Sequence, residues 1–416
     1  MLKEFKPILT NRSFLYLWTS QIFSQITINI LNFMLLIRIF TETGSTIAVS
    51  LFWVAYALAA ILVGPFAAVT VDIFERRRVL MTASLIEAIT IFLYSLVHQT
   101  RFFTLYLIVF SYSFLNQFYV PAEQASLPSL VPKTNLAQAN SLFFLTQQAA
   151  LAIGFGLGSL LLETLGFSNA LVLCSFLLLI AFFSNSFLPK MPVAEFLPAS
   201  FEESLKTFFT QIGEGYYYIK SHRSVLFPFS ILLGMQVALA VAAINAPVLA
   251  KEVLKINVSS VGKSVVVPGA IGAGLGGLIV ARALKSGWRK KKVIETSFLA
   301  LSLSTAFLMI FVPLMPGLSR TVFSTVDFFV IGLSFVGILI PTLTFLQEVT
   351  PSDFRGRVFG NYWFLVTLVT IIPVIFTAAV SEFLGVKTLF LGIALILFIV
   401  FILSKKYGEE LVVERL

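Results

Sequence analysis

VDIFERRRVL, residues 71–80, sets Asp72, Glu75, Arg76, Arg77 and Arg78 between two long apolar runs. Residues 45–70 carry no charge, and residues 79–98 carry only Glu87. A hydrocarbon core of ~30 Å takes about 20 apolar residues as helix, so each flank is long enough to cross a bilayer. The link between them is too short for a domain, and three adjacent arginines favour the cytoplasmic side. Its plainest role is that of a solvated stop signal.

Composition agrees. The 416 residues are 58% hydrophobic and 12% charged, where a soluble domain carries about 25% charged residues. The net charge of +9 does not mark a nucleic-acid partner, because the basic residues sit in short links between apolar runs. One cysteine, Cys174, excludes an internal disulfide and a cysteine metal cluster. The two histidines, His98 and His222, are far apart, so no metal site is expected. Residues 1–12 lead into an apolar run longer than a signal-peptide core, so the first span is expected to insert and stay.

Twelve apolar runs follow one another, at about 14–39, 45–70, 79–98, 102–122, 138–163, 166–188, 225–250, 262–283, 293–314, 321–346, 357–380 and 385–404. The expected fold is all-α and polytopic. Its parts are a six-helix bundle over 1–188, a cytoplasmic linker over 189–224 and a second bundle over 225–416. Within the linker, FEESLKTFFTQIGEGYYYIKS (201–221) has amphipathic spacing suited to the membrane surface. With both termini inside, 22 of the 29 lysines and arginines fall in cytoplasmic links and tails and 7 outside, as the positive-inside rule requires.

The halves repeat. Arg76–Arg78 is answered by WRKKK, Trp288 to Lys292, each after the second span of its half. Pro121 and Pro132 are answered by Pro341 and Pro351, each pair bracketing the end of a fourth span and the link after it. Two six-span repeats fit a transporter with its substrate site between the halves at mid-membrane.

These residues resemble the major facilitator superfamily, in its branch of macrolide-efflux-like and enterobactin-exporter-like permeases. The branch signature GPLAGVLADRFDRRRVL is matched by GPFAAVTVDIFERRRVL at Gly64, Pro65, Asp72, Arg76, Arg77 and Arg78, with Ala68 and Ile73 departing from it. PARQALLPDLVPPEELAAANAL is matched from Pro121 to Asn140, and PDELRGRVFG by PSDFRGRVFG with Arg355 and Arg357. In the fifth span Gly154, Gly156 and Gly158 are present, but Phe155 stands where the family has proline. The resemblance implies a gate in which Asp72, Arg76, Arg77 and Arg78 clamp spans 2 and 3 to span 11. It also implies a secondary exporter of small amphipathic molecules, drug-like compounds or siderophores, exchanged for protons by alternating access. A lysophospholipid or other lipid transporter is the alternative reading.

Several residues could line a site. Gln21, Gln25, Asn29 and Asn32 recur at steps of four, four and three, one face of span 1. Amides do not face lipid cheaply, so the face serves either interhelical hydrogen bonds or a watery cavity. Asn116, Gln117, Gln147, Gln148, Gln236, Asn245, Asn361 and Arg38 are candidates of the same kind, with Trp53, Tyr56, Phe114 and Trp363 as an aromatic wall or as packing. Glu87 and Asp327 lie within spans, where acids are expensive and default to function. Asp327 either carries the coupling proton or pairs with a cation such as Arg38; Glu87 is either a coupling acid or a hydrogen-bonded structural one. Gly272, Gly274, Gly276 and Gly277 allow close helix approach rather than dinucleotide binding, since no strand precedes them. No P-loop or catalytic cluster appears, so neither an enzyme nor a cofactor is expected. The expected partners are a small-molecule substrate, protons and membrane lipids, with the chain a monomer in a bacterial plasma membrane. A tag within 289–292 should stay unlabelled by an impermeant reagent on intact cells; labelling there would reverse the topology.

Overall fold

A computed structural model of the chain describes residues 7–97, 103–132, 135–191 and 201–407. Among them the long elements are thirteen α-helices: α1 (Arg12–Thr43), α2 (Thr46–Ile73), α3 (Arg76–Val97), α4 (Thr104–Leu130), α5 (Leu136–Thr164), α6 (Gly166–Ser186), α7 (Phe201–Ser221), α8 (Arg223–Leu249), α9 (Val267–Lys285), α10 (Lys290–Ile310), α11 (Gly317–Val349), α12 (Ser352–Leu384) and α13 (Val386–Tyr407). α7 is the amphipathic segment, and the other twelve correspond to the twelve apolar runs. In lipid a helix satisfies its own backbone, which is why each run takes this form. Turns are tight: Gly385 alone, at φ 85°, separates α12 from α13, a left-handed conformation that glycine adopts at little cost.

Among the described residues eleven helices are long and apolar enough to cross a membrane by length and composition. α4 is the twelfth by length but not by apolarity, because Tyr112, Asn116, Gln117, Tyr119 and Glu123 dilute it. It also outruns its apolar stretch. The helix continues through Pro121 and Pro128 to Leu130, and α11 likewise continues through Pro341 to Val349. Each helix therefore ends between its two prolines, with Pro121 and Pro341 inside and Pro132 and Pro351 beyond, which carries Glu123 into the helix.

The chain forms two compact units, one of residues 1–39 and 51–208 and the other of 40–50 and 209–416. In the first, α3 packs on α4 and α6, and a core of Phe14, Leu17, Leu80, Tyr119, Ala122 and Ala139 fills the space between helices. In the second, α10 packs on α11 and α13, the same arrangement one repeat later. Here α9 and α11 meet backbone to backbone. A Cβ on Gly272 would collide with the Phe329 carbonyl, one on Gly332 with the Gly269 carbonyl, and one on Gly276 would lie 3.0 Å from Leu333 Cα. Gly274 has open space around it, so of the span-8 glycines Gly272 and Gly276 make the seam. α7 joins this unit through Tyr218, stacked 4.2 Å from Phe354 and 4.1 Å from His222.

The 40–50 segment is held at its start of α2 by Glu382, in the last turn of α12. Glu382 Oε2 accepts from Ser45 Oγ (2.7 Å), Thr46 Oγ1 (3.2 Å) and the Ile47 amide (3.1 Å). An acid is favoured at a helix N-terminus, where unbonded amides and the dipole both present positive charge.

The glycine seam sets a testable contrast. Gly272→Ala should cost about 1–3 kcal/mol by overpacking, seen as a thermal midpoint several degrees lower in detergent, whereas Gly274→Ala should leave the midpoint unchanged or slightly raised.

Candidate functional site

Tyr112, Ser113, Asn116, Tyr119, Glu123 and Ser126 are all buried on α4. Their spacing at three and four residues puts them on one helix face, turned into the first unit. From Tyr112 to Glu123 the face runs about 16 Å at 1.5 Å per residue. Polar side chains kept from lipid in this way form a spine through the unit.

α1 meets the upper part of the spine. The Tyr112 hydroxyl donates to Asn32 Oδ1, and the Tyr112 ring lies 6.1 Å from that of Tyr56 on α2. Tyr56 is hydrogen-bonded by the Asn116 amide, its carbonyl accepts from Ser113 Oγ at 2.9 Å, and its ring continues to Trp53 and Phe52. Asn32, Trp53, Tyr56 and Gln117 are partly buried, while Tyr112 and Asn116 are fully buried. Asn116 Oδ1 has no partner among the described residues.

Glu87 enters from α3 with 1% of its surface exposed, close enough to Tyr56, Tyr112 and Tyr119 to act on them electrostatically. Sequence reading allowed for a hydrogen-bonded structural acid here. Neither carboxyl oxygen has a hydrogen-bond partner among the described residues. An ionised carboxylate so placed carries a large desolvation cost.

Gln21 and Asn29 of the span-1 stripe bond to α5 and to the preceding turn of α1, respectively. Gln21 Nε2 donates to the Phe143 carbonyl (3.3 Å) and Asn29 Nδ2 to the Gln25 carbonyl (2.8 Å). Asn29 meets α5 where Gly154 leaves room, since a Cβ there would collide with Asn29 Cβ. Gln147 and Gln148 are exposed and make no contact with the spine that the structure records. Arg38 lies over the Phe167 ring, 5.3 Å from its centroid.

In the second unit the candidates are more scattered. Asp327 on α11 is 6% exposed and hydrogen-bonded by Ser304 of α10, while its Oδ2 has no partner among the described residues. Gln236 on α8 hydrogen-bonds Tyr362 on α12. Asn361 is buried beside Tyr362, and Asn245 is buried with its amide on the Val241 carbonyl, 2.9 Å.

At the basic link, Arg76 Nη1 donates to the Ala125 carbonyl (2.8 Å) and Ser129 Oγ (3.1 Å), and Arg77 Nη2 donates to the Ser186 carbonyl (2.6 Å). Both guanidinium groups therefore sit at helix C-termini, those of α4 and α6, where the dipole favours a cation. Arg78 pairs with Glu75 at 2.9 Å. The repeat answers: Lys290, first residue of α10, pairs with Glu348 next to the end of α11, as Arg76, first residue of α3, reaches Ser129 next to the end of α4. Asp72, Arg355, Arg357 and Trp363 lie in helices, but their side chains are outside the described residues.

Tyr112, Tyr119 and Glu123 were missed by sequence reading. Their signal was present in the register 112, 116, 119, 123 and 126, hidden because the run was ended at residue 122, just after Pro121.

A family model described as Major Facilitator Superfamily matches residues 17–373. The chain is 24% identical over 375 residues to the uncharacterized MFS-type transporter YfiS of Bacillus subtilis (strain 168), covering 88% of this chain and 87% of that one. It is 32% identical over 176 residues to the uncharacterized MFS-type transporter YjbB of the same organism, covering 41% and 44%. Among solved structures, the nucleoside transporter NupG superposes with a TM-score of 0.75 at 16% identity, over 95% of this chain and 99% of that one. A POT family transporter in complex with a thioalcohol-conjugated peptide gives 0.74 at 12% identity, over 96% of each.

The two basic-link contacts should differ in weight. Arg76→Ala removes charged hydrogen bonds to the part-buried Ala125 carbonyl and the exposed Ser129 hydroxyl, expected to cost about 1.5–3 kcal/mol. Lys290→Ala removes an ion pair whose Glu348 side chain is 55% exposed, expected to cost about 0–1 kcal/mol. Thermal unfolding of the two variants in detergent measures the difference.

Proposed function

The chain belongs to the Major Facilitator Superfamily, and on that premise we propose that it is a secondary active exporter, driving small amphipathic molecules out of the cell in exchange for protons by alternating access. The carrying observation is the polar spine of α4, buried in the first unit yet reaching the only partly buried Asn32, Trp53, Tyr56 and Gln117. Aromatic rings beside amides suit a substrate with an apolar body and a few polar groups. Nucleosides and peptides, named for the structural neighbours, are likewise small molecules of mixed polarity.

Proton exchange is supported by the buried acids. Asp327 and Glu87 lie in apolar helices, neither has a cationic partner recorded, and each keeps at least one unpartnered oxygen. An acid in that setting exchanges between charged and neutral forms at a cost that the membrane gradient can supply. The two six-helix repeats, the cytoplasmic position of both termini and of the basic links, residence in the bacterial plasma membrane and a monomeric state belong to the same proposal. It assigns the linker helix α7 to the cytoplasmic surface and the Asp72, Arg76–Arg78, Arg355 and Arg357 set to gating.

Cells carrying the protein should accumulate less ethidium or erythromycin than cells without it, and a protonophore should abolish the difference. Asp327→Asn should remove pH-gradient-driven export in inverted vesicles. Export that persists in this variant would free Asp327 of the coupling role, and export indifferent to the protonophore would sink proton exchange altogether.

A further inference from the structure

The turn from α9 to α10 carries more cations than its own structure uses. Arg282, Lys285, Arg289, Lys290, Lys291 and Lys292 gather there, and no acid occurs from residue 253 to 294. In the first unit the matching link is engaged throughout: Arg76 and Arg77 reach carbonyls at the ends of α4 and α6, and Arg78 pairs with Glu75. In the second, the ion pairs among the described residues are those of Lys290 with Glu348 and Lys291 with Glu295. Lys292 lies over the Trp288 ring, 5.5 Å from its centroid.

α9 closes without these side chains. The amides of Ser286, Gly287 and Trp288 donate to the carbonyls of Arg282, Leu284 and Ala283 at 2.9–3.1 Å. Gly287, at φ 90°, supplies the left-handed residue that such an ending requires. The dipole at this end favours Arg282 and Lys285. It gives no reason for Arg289 and Lys292, which flank the first turn of α10, where a cation is disfavoured and no acid stands.

Further along, the same face of α9 is apolar. Ile271, Leu275, Leu278, Arg282 and Lys285 recur at steps of four, three, four and three, on one side of the helix, and all five are exposed. Gly272 and Gly276, on a different side, carry the seam with α11. In a chain that crosses a bilayer, an apolar face without protein over it is covered by acyl chains. From Ile271 to Arg282 the face runs about 16 Å at 1.5 Å per residue, close to half of a ~30 Å hydrocarbon core. Trp288, 53% exposed, follows the charges, and indole rings settle at the boundary between hydrocarbon and headgroups.

We infer that the α9–α10 turn is a binding site for the headgroup of an anionic phospholipid, with acyl chains along Ile271, Leu275 and Leu278 and the phosphate on Arg282, Lys285 and Arg289. A guanidinium donates two parallel N–H bonds to phosphate oxygens, and an ammonium adds charge without that geometry. A zwitterionic headgroup brings its own cation to a patch already in excess, so net negative charge is what selects. A soluble phosphate would satisfy the cations but leave the apolar approach without a use.

The site requires only that α9 and α10 cross a bilayer, so failure of the exporter reading leaves it standing. Trp288 is one of four tryptophans, and subtracting the emission of a Trp288→Phe variant isolates its fluorescence. In phosphatidylcholine nanodiscs containing acyl-brominated phosphatidylglycerol, that difference should be quenched more than by brominated phosphatidylcholine at equal mole fraction. Arg282→Gln, Lys285→Gln and Arg289→Gln should each raise the mole fraction for half-maximal quenching about fivefold. Arg282→Lys should hold it near wild type, which checks folding, and so should Lys251→Gln, beyond the far end of α8. Equal quenching by the two lipids overturns the inference, as does a preference indifferent to all three glutamine variants or lowered equally by Lys251→Gln. A preference abolished by inorganic phosphate at constant ionic strength would assign the cations to a soluble anion instead and overturn it too.

Discussion

Polar side chains in a membrane-spanning helix have to face protein or water, since hydrocarbon offers them no partner. That constraint orders the first unit. α4 is too polar to count as an apolar span, and its polar residues occur at helical spacing, so one stripe is driven inward and α1, α2, α3 and α6 supply its partners. Tyr112 finds Asn32, Asn116 finds Tyr56, and Tyr119 finds Ser20 and Asn185. Among the described residues both oxygens of Glu87, one of Glu123 and the Asn116 and Asn185 side-chain oxygens are among those left without hydrogen bonds, which marks where the constraint is only partly met.

The repeat shows what is structural in the basic links. Arg76 and Lys290 each open the third helix of their half and reach the C-terminal end of the fourth. One uses a carbonyl and a serine, the other a glutamate, so the contact is kept while its chemistry changes. In each case a cation is brought to the negative end of a neighbouring helix. Arg76, Arg77 and Arg78 of the link are thus engaged inside their own unit.

Much of this was legible in the sequence. Apolar runs, links and the positions of repeated motifs follow from composition and period, because lipid leaves the backbone few choices. The four-amide stripe of α1 was legible as one face for the same reason. Glu123 was not: a proline is an ordinary place to end a helix in water, but neighbouring helices let α4 continue past two of them. Gly272 could not be told from Gly274, because which glycine faces α11 depends on helix rotation that a run of small residues does not encode. Partners far apart in sequence, such as Arg76 with Ser129 or Asp327 with Ser304, were beyond the reach of spacing altogether.

The Glu382 cap on α2 bears on the order in which the protein is built. Ser45, Thr46 and Ile47 emerge some 335 residues before the acid that satisfies them. At 5–20 residues per second of synthesis, that is a wait of roughly 15 to 70 seconds. During that interval the first turn of α2 must rely on water or lipid headgroups for its amides. The nascent chain thus inserts its second helix with an unfinished end, and only the arrival of the penultimate helix completes it.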